Sequence, residues 1–180
     1  MNRAPDDALP RGFGFAATNC GLRKPPNLDL GFILAEKPVA AAGVFTQNLI
    51  QAAPVVLSRN HLQAANSHIR AVIVNSRNAN CATGAAGMAA AKATAQEVAR
   101  EIGCEPEQVL VSSTGVIGVP LRVERILAAV PGLAHSVAGT PEAFDGFTHA
   151  IIAEARAKGI ATSGREQAKD LAPGEKHESA

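Results

Sequence analysis

The stretch that decides the fold is residues 70–103, RAVIVNSRNANCATGAAGMAAAKATAQEVAREIG. Near its start, Ala71-Val72-Ile73-Val74 forms a continuous apolar run, which favours a strand covered on both faces. After a loop rich in Asn and Gly, apolar residues recur at intervals of three and four, which predicts an amphipathic helix that ends at Gly103. The members of that apolar stripe are Met88, Ala91, Ala95, Val98 and Ile102. A strand, a polar loop and a helix in this order are typical of an α/β protein.

The same alternation continues towards the C-terminus. Gln108–Ser112 predicts a second strand, and a glycine-containing loop follows it over residues 113–118. Pro120 fits the first turn of a helix that runs through Val130. A last helix is predicted over Pro141–Lys158. We therefore predict the α/β class, with a layered sheet covered by helices.

Short strands dominate the N-terminal side. Lys37-Pro38 is a turn signal that separates two of them. Ser58 is placed to cap a short helix over Arg59–Ala65. The predicted strands are Phe13–Thr18, Leu28–Ala35, Val39–Thr46 and Pro54–Leu57. The first half of the chain therefore predicts a sheet with few helices.

The pattern defines one domain with a short segment at each end. Residues 1–9 carry no periodic apolar pattern and are predicted to be flexible. Residues 10–158 form the α/β domain. Residues 159–180 are mostly small and charged, without helical or strand period, and are predicted to be a poorly ordered tail.

Composition limits the classes of function. The chain has 180 residues, a net charge of +1, no Trp and no Tyr. Because a basic block and stacking aromatic residues are both missing from the sequence, we expect no nucleic-acid partner. No apolar run approaches the roughly 18–20 residues of a membrane span, and residues 1–10 lack the apolar core of a signal peptide. We therefore expect a cytoplasmic protein without a membrane partner.

Familiar catalytic and metal-binding motifs do not occur in the sequence. The three cysteines, Cys20, Cys81 and Cys104, fit no zinc spacing and are interpreted as small buried side chains. The histidines have no motif neighbours, so each is predicted to be a surface or capping residue. They are His61, His68, His135, His149 and His177. We predict no metal and no bound cofactor.

Two polar loops remain as candidate sites. The first is residues 75–84, NSRNANCATG, which follows the buried strand. Loops at strand ends often bind ligands in α/β folds. The alternative is turn chemistry, because Asn and Gly also serve left-handed and Asx turns.

The second loop is residues 112–118, SSTGVIG, between a strand and a helix. Its backbone amides could converge as an anion-binding nest, aided by the helix N-terminus, and Gly115 allows the positive φ that a nest requires. Such a nest would accept a carboxylate, a phosphate or an oxyanion. The alternative is a plain connection between strand and helix.

Several stretches together resemble one family, the glutamate N-acetyltransferase/ornithine acetyltransferase family of arginine biosynthesis. They occur in the family's order and spacing from about Pro10 to Ala150. They are PRGF at 10–13, LDL at 28–30, AAAGVFTQN at 40–48, APVV at 53–56, AVIVNSRNAN at 71–80, ATG at 82–84 and VLVSSTGVIG at 109–118.

The resemblance implies a function that composition and spacing do not reveal. Family members are precursors that cut themselves before a threonine, which becomes the nucleophile of the β chain. That threonine takes acetyl from N-acetylornithine and passes it to glutamate, and some members also use acetyl-CoA. This chain corresponds to the N-terminal α chain, with Thr114 and Gly115 as the oxyanion hole. The expected partners are a β chain, in a hetero-oligomer of α and β chains, and the two small-molecule substrates.

Two departures from the family pattern are visible. Arg77 stands where the family usually has Gly, and a long side chain there could alter selectivity or clash with a tight turn. Resemblance is expected to stop near Ala150, where Ile152–Arg156 replaces a segment with a substrate-contacting threonine.

Two alternative interpretations of the function stay open. One is a truncated or frame-shifted inactive relative that acts at most as a small-molecule-binding α/β module. The other is an unrelated binding protein with an acidic or phosphorylated ligand at the Thr114 loop.

Overall fold

The computed structural model describes residues 9–157, which form a four-stranded sheet with four helices and one short 3-10 turn. The strands, in chain order, are β1 Phe13–Thr18, β2 Leu30–Ala40, β3 His68–Asn75 and β4 Val109–Ser113. The helices are α1 Ala53–Ala64, α2 Gly84–Ile102, α3 Val123–His135 and α4 Pro141–Ala157. The predicted α/β class is confirmed. The predicted tail over residues 159–180, and all but the last residue of the predicted flexible segment over residues 1–9, lie outside the described residues.

The sheet has the order β1-β2-β3-β4. The first three strands are antiparallel neighbours, whereas β3 and β4 are parallel, with Ile73 opposite Val111. The connection between these parallel strands runs through α2, as a parallel pair requires. Both strands therefore end at the same edge of the sheet, and the loops that follow them meet there.

The main core lies between one face of the sheet and helices α2 and α3. Phe32, Ile73 and Val109 on the sheet are almost fully buried, as are Val98 on α2 and Ile126 on α3. The small side chains of α2 let it lie close to the sheet. Gly103 ends α2 in a left-handed conformation with φ of +68°, which confirms the predicted stop.

The opposite face of the sheet is covered over only part of its width. Helix α4 packs on β1 and β2, where the rings of Phe15 and Phe144 meet edge to face at 5.0 Å. On β3, Ala71 and Ile73 are buried whereas Val72 and Val74 are only half-buried. The prediction that this strand is covered on both faces is therefore wrong for the described residues, and β3 and β4 keep one apolar face partly open.

Two predicted boundaries on the N-terminal side are wrong. β2 does not turn at Lys37-Pro38 but continues to Ala40, and no strand follows over residues 41–46. The register between β2 and β3 shifts between Leu34 and Val39, which is a bulge. Pro38 lies within that irregular stretch, where its missing N–H costs no regular ladder bond.

The segment predicted as the strand Pro54–Leu57 belongs instead to helix α1. Pro54 lies in the first turn of that helix, a position that tolerates proline. Ser58 is an interior residue of α1 and not its cap. His61 is also buried, with Nδ1 at 2.8 Å from the carbonyl oxygen of Val109, so its predicted surface position is wrong.

The third helix begins later and ends later than predicted. It starts at Val123 rather than Pro120, and it continues through Pro131 to His135. Val130 and Leu133 are buried on either side of this proline, and their packing compensates for the hydrogen bond that proline removes. Within residues 9–157, none of the helices has the length and apolar character that crossing a bilayer requires.

Candidate active site

The two loops that the sequence singled out are joined by backbone hydrogen bonds. The amide of Thr114 donates to the carbonyl of Asn75 at 2.9 Å, and that of Val116 donates to Arg77 at 3.1 Å. Val116 in turn accepts from the amide of Ala79 at 3.0 Å. These bonds extend the parallel pairing of β3 and β4 beyond the ends of the strands. The structure therefore brings the two predicted sites together as one.

Gly115 lies where the two loops come closest. Its φ is +138°, as the sequence analysis anticipated for a positive-φ glycine. A Cβ at this position would lie 2.2 Å from the carbonyl carbon of Arg77 and 2.5 Å from the amide nitrogen of Asn78. The first loop therefore fills the space that any other side chain would need.

The predicted nest is not formed in the expected way. The amides of Thr114, Val116 and Gly118 all point into the first loop, where each donates to a carbonyl. The N-terminus of α3 makes no contribution because that helix begins only at Val123. Among the described residues, the amide of Gly115 has no acceptor, and the Thr114 hydroxyl makes no hydrogen bond. These two neighbouring donors remain available to a ligand.

The asparagine side chains of the first loop stabilise the conformation of that loop through hydrogen bonds. Asn75 accepts from the Ser113 hydroxyl at 2.6 Å, and Asn78 donates to the carbonyl of Val119 at 3.0 Å. Asn80 is fully buried, and its side chain donates to the carbonyl of Gly87 at 2.9 Å. For these three residues the alternative interpretation, turn chemistry, is the correct one.

Arg77 has a backbone conformation that disfavours a side chain. Its φ is +80°, in the left-handed region that glycine adopts without strain. This explains in physical terms why a glycine suits the position and why arginine costs stability there. The Arg77 side chain leaves the loop and lines a neighbouring cleft.

All three cysteines are half-buried, so their interpretation as buried side chains is wrong. In Cys20 and Cys104 the surroundings stabilise the neutral thiol. Burial raises the pKa of Cys20 to about 12, and the adjacent Asp29 carboxylate adds to the effect. Burial also raises the pKa of Cys104.

The buried carboxylate of Asp29 was missed by the sequence analysis. It is fully buried and accepts from the amides of Cys20 at 2.6 Å and Arg23 at 2.7 Å, and only these long-range contacts reveal its role. No cluster within residues 9–157 has the composition of a metal site.

These features define an α/β protein whose candidate site is built by two loops at the carboxyl ends of adjacent parallel strands. The ArgJ family model matches residues 14–171, and the chain belongs to the ArgJ family. The match continues past Ala150, so the expectation that the resemblance stops near that residue is wrong. The recognition of the family from its ordered motifs is confirmed.

Curated relatives and solved structures agree with this assignment. The arginine biosynthesis bifunctional protein ArgJ of Chlorobaculum tepidum is 50% identical over 124 residues, which are 69% of this chain and 30% of that protein. Its counterpart in Gloeobacter violaceus is 47% identical over 142 residues, or 79% of this chain and 34% of that protein. The chain thus spans about a third of the length of these relatives.

Two crystal structures share the fold. The arginine biosynthesis bifunctional protein ArgJ of Bacillus halodurans aligns with a TM-score of 0.74 and 33% identity, covering 78% of this chain and 72% of that chain. Ornithine acetyltransferase from Mycobacterium tuberculosis, solved in complex with ornithine, aligns with a TM-score of 0.75 and 39% identity. That alignment covers 79% of this chain and 76% of the other.

Proposed function

We propose that this chain is the α-chain portion of an acetyltransferase that moves acetyl from N-acetylornithine to glutamate. Membership of the ArgJ family supports this, since the curated relatives are named arginine biosynthesis bifunctional proteins. The ornithine complex of the structural relative from Mycobacterium tuberculosis supports an ornithine-containing substrate. Acetyl-CoA is a second acetyl donor in this proposal, and no bound cofactor takes part.

The observation that carries the proposal is the pair of available donors at Thr114 and Gly115. When a nucleophile attacks the acetyl carbonyl, negative charge develops on the carbonyl oxygen, and fixed donors stabilise it. The Gly115 amide is held in place because the flanking amides of Thr114 and Val116 are bonded to the first loop. The Thr114 hydroxyl and the Gly115 amide therefore form the oxyanion hole.

The nucleophile in this proposal is the N-terminal threonine of a β chain. Its hydroxyl oxygen bonds to the acetyl carbon and gives up its proton, and the amide nitrogen of N-acetylornithine leaves as the free amine of ornithine. The amine of glutamate then attacks the acetyl ester, and the threonine oxygen regains a proton. The same oxyanion hole serves both steps because each passes through a tetrahedral oxyanion.

The partly open face of the sheet supports a β-chain partner. A cavity of about 320 Å³ lies between α1, β4 and the segment over residues 41–52, and its lining is mostly apolar. On that same segment Val44, Leu49 and Ile50 are strongly exposed. Exposed apolar side chains that adjoin an apolar cavity mark a surface that a partner covers.

Reconstitution tests the proposed function. We expect this chain, combined with the β chain, to convert N-acetylornithine and glutamate into ornithine and N-acetylglutamate, as followed by mass spectrometry. The β chain alone serves as the control and should be inactive without the oxyanion hole. If the combined chains form a stable complex but transfer no acetyl group, the alternative of an inactive relative that binds small molecules replaces this proposal.

A further inference from the structure

Ser76 carries a buried hydroxyl group in the first loop that the proposed mechanism does not use. The residue is fully buried, and its Oγ makes no hydrogen bond within residues 9–157. Most buried polar side chains in proteins have a partner, because an unpaired one loses its bonds to water without compensation. A buried hydroxyl without a partner beside a candidate active site therefore points to a role other than stability.

The backbone around Ser76 fixes the position of this hydroxyl. The amide of Ser76 donates to the carbonyl of Asp29 at 2.9 Å, and Asp29 is itself fully buried. The carbonyl of Ser76 accepts from the side-chain amide of Asn75 at 3.2 Å. Because the backbone is bonded on both sides, rotation about χ1 is the main freedom that the hydroxyl keeps.

Ser76 lies opposite Thr114 in the pairing of the two loops. The parallel register of β3 and β4 continues unchanged to the bridge between Asn78 and Val116. The amide of Thr114 donates to the carbonyl of Asn75, as the parallel pattern requires when Thr114 is opposite Ser76. Opposite residues point to the same face of a sheet, and neighbouring strands lie about 4.8 Å apart. Hydroxyl side chains in such positions can bond to each other.

We propose that Ser76 is a positioning residue of the oxyanion hole. Its hydroxyl donates a hydrogen bond to Thr114 Oγ1, and the Thr114 hydroxyl in turn donates to the oxyanion. The Thr114 side chain belongs to a half-buried residue and has no other hydrogen bond in the described part of the chain, so a rotation about χ1 lets it accept this bond. The inference rests on the proposed function, because it concerns the same acetyl transfer.

A hydrogen bond from Ser76 has two effects on the Thr114 hydroxyl. It fixes the direction of the O–H group before the reaction starts, so no reorganisation is needed as charge develops. It also polarises that group, because consecutive hydrogen bonds strengthen one another where water is excluded. Both effects act on the charge of the transition state and not on the bound substrate, so they raise kcat and leave KM unchanged.

Steady-state kinetics of Ser76→Ala in the reconstituted enzyme tests this inference. We expect kcat with N-acetylornithine to fall about tenfold at an unchanged KM, a smaller loss than removal of an oxyanion donor itself causes. Chemical denaturation should give a free energy of unfolding equal to or above that of the parent, because the lost hydroxyl has no partner within residues 9–157. Ser136→Ala changes an exposed serine at the end of α3 and is the control, with parent kinetics expected.

A double-mutant cycle with Thr114→Val shows whether Ser76 acts through Thr114. If it does, Ser76→Ala causes no further loss of kcat once the Thr114 hydroxyl has been removed. Additive losses in the double variant, or an unchanged kcat in Ser76→Ala beside an active parent, overturn the inference and leave the proposed function intact. A reconstituted parent that transfers no acetyl group overturns both.

Discussion

Gly115 and Arg77 show how closely two single residues constrain each other. The absence of a side chain at Gly115 lets the backbone of Arg77 approach, and the positive φ of Arg77 lets the first loop make that approach. Glycine suits both positions, for different reasons: at Gly115 there is no room for a Cβ, and at Arg77 the backbone conformation disfavours one. This chain has glycine at position 115 but arginine at position 77.

Replacing Thr114 tests the proposed oxyanion hole at the residue scale. Thr114→Val keeps the shape of the side chain but removes its hydroxyl, and we expect kcat of the reconstituted enzyme to fall by about 10²–10³. Thr114→Ser keeps the hydroxyl and should retain most of the activity. Steady-state kinetics with N-acetylornithine measures both. An unchanged kcat in Thr114→Val would mean that the oxyanion is stabilised elsewhere.

Replacing Arg77 tests the strain of its backbone. Arg77→Gly and Arg77→Ala both remove the side chain, but only glycine relieves the positive φ. We therefore expect the glycine variant to have a free energy of unfolding about 1 kcal/mol higher than that of the alanine variant. Chemical denaturation of the two variants measures the difference. Equal stabilities would contradict the assignment of strain to this position.

At the scale of elements, helix α1 covers the free edge of strand β4. The Ser58 hydroxyl donates to the carbonyl of Val111 at 2.7 Å and accepts from the amide of the same residue at 2.9 Å. At the same edge, His61 Nδ1 lies 2.8 Å from the carbonyl oxygen of Val109. These side chains satisfy backbone groups that a further strand would otherwise pair with, so the sheet ends at β4.

Removing the Ser58 hydroxyl tests how much this edge of the sheet contributes to the stability of the fold. Ser58→Ala leaves the buried amide and carbonyl of Val111 without partners, so we expect the free energy of unfolding to fall by about 1–3 kcal/mol. Asn60→Ala changes an exposed side chain on the same helix and serves as the control, with little expected effect. Thermal or chemical denaturation measures both. Equal effects of the two substitutions would mean that water satisfies the edge of β4.

At the scale of the whole molecule, one apolar surface is left uncovered by the helices of residues 9–157. Helix α4 covers β1 and β2, whereas the half-buried Val72 and Leu110 of the next two strands face cavities. Leu49 and Ile50 project from a segment without regular structure nearby. This arrangement is expected of a polypeptide that completes its core with a partner.

Placing a charge on that surface tests the partner. Leu49 is 99% exposed in this chain, so Leu49→Asp should leave its thermal stability unchanged while weakening association with the β chain by tenfold or more, on the order of 1.4 kcal/mol. Gln47→Asp adds the same charge at another exposed position of the segment and is the matched control. Analytical ultracentrifugation of the mixed chains measures the association. Unchanged association in Leu49→Asp would place the partner elsewhere.

Much of the fold was predictable because its signals are local. The periodicity of α2, its stop at Gly103 and the apolar run of β3 depend on neighbours in sequence, and the structure confirms them. The segment Pro54–Leu57 was misassigned because a short apolar run suits a strand or a helix equally well. Its helical state depends on contacts with β4, which is about 50 residues away in the chain.

The sequence by itself determined the α/β class, the two polar loops and membership of the family, since each depends on residue type and spacing along the chain. Only the tertiary structure decided what those residues do. In the structure, the asparagine side chains stabilise the first loop through hydrogen bonds. The Gly115 amide stays available because the flanking amides of Thr114 and Val116 donate to Asn75 and Arg77. The tertiary structure also brought Gly21 to Arg125, 104 positions away in the chain, so that the segment before β2 contacts α3. The local sequence pattern shows which polar and charged groups the chain has. Which of these groups bond to each other depends on long-range packing, which no local pattern contains.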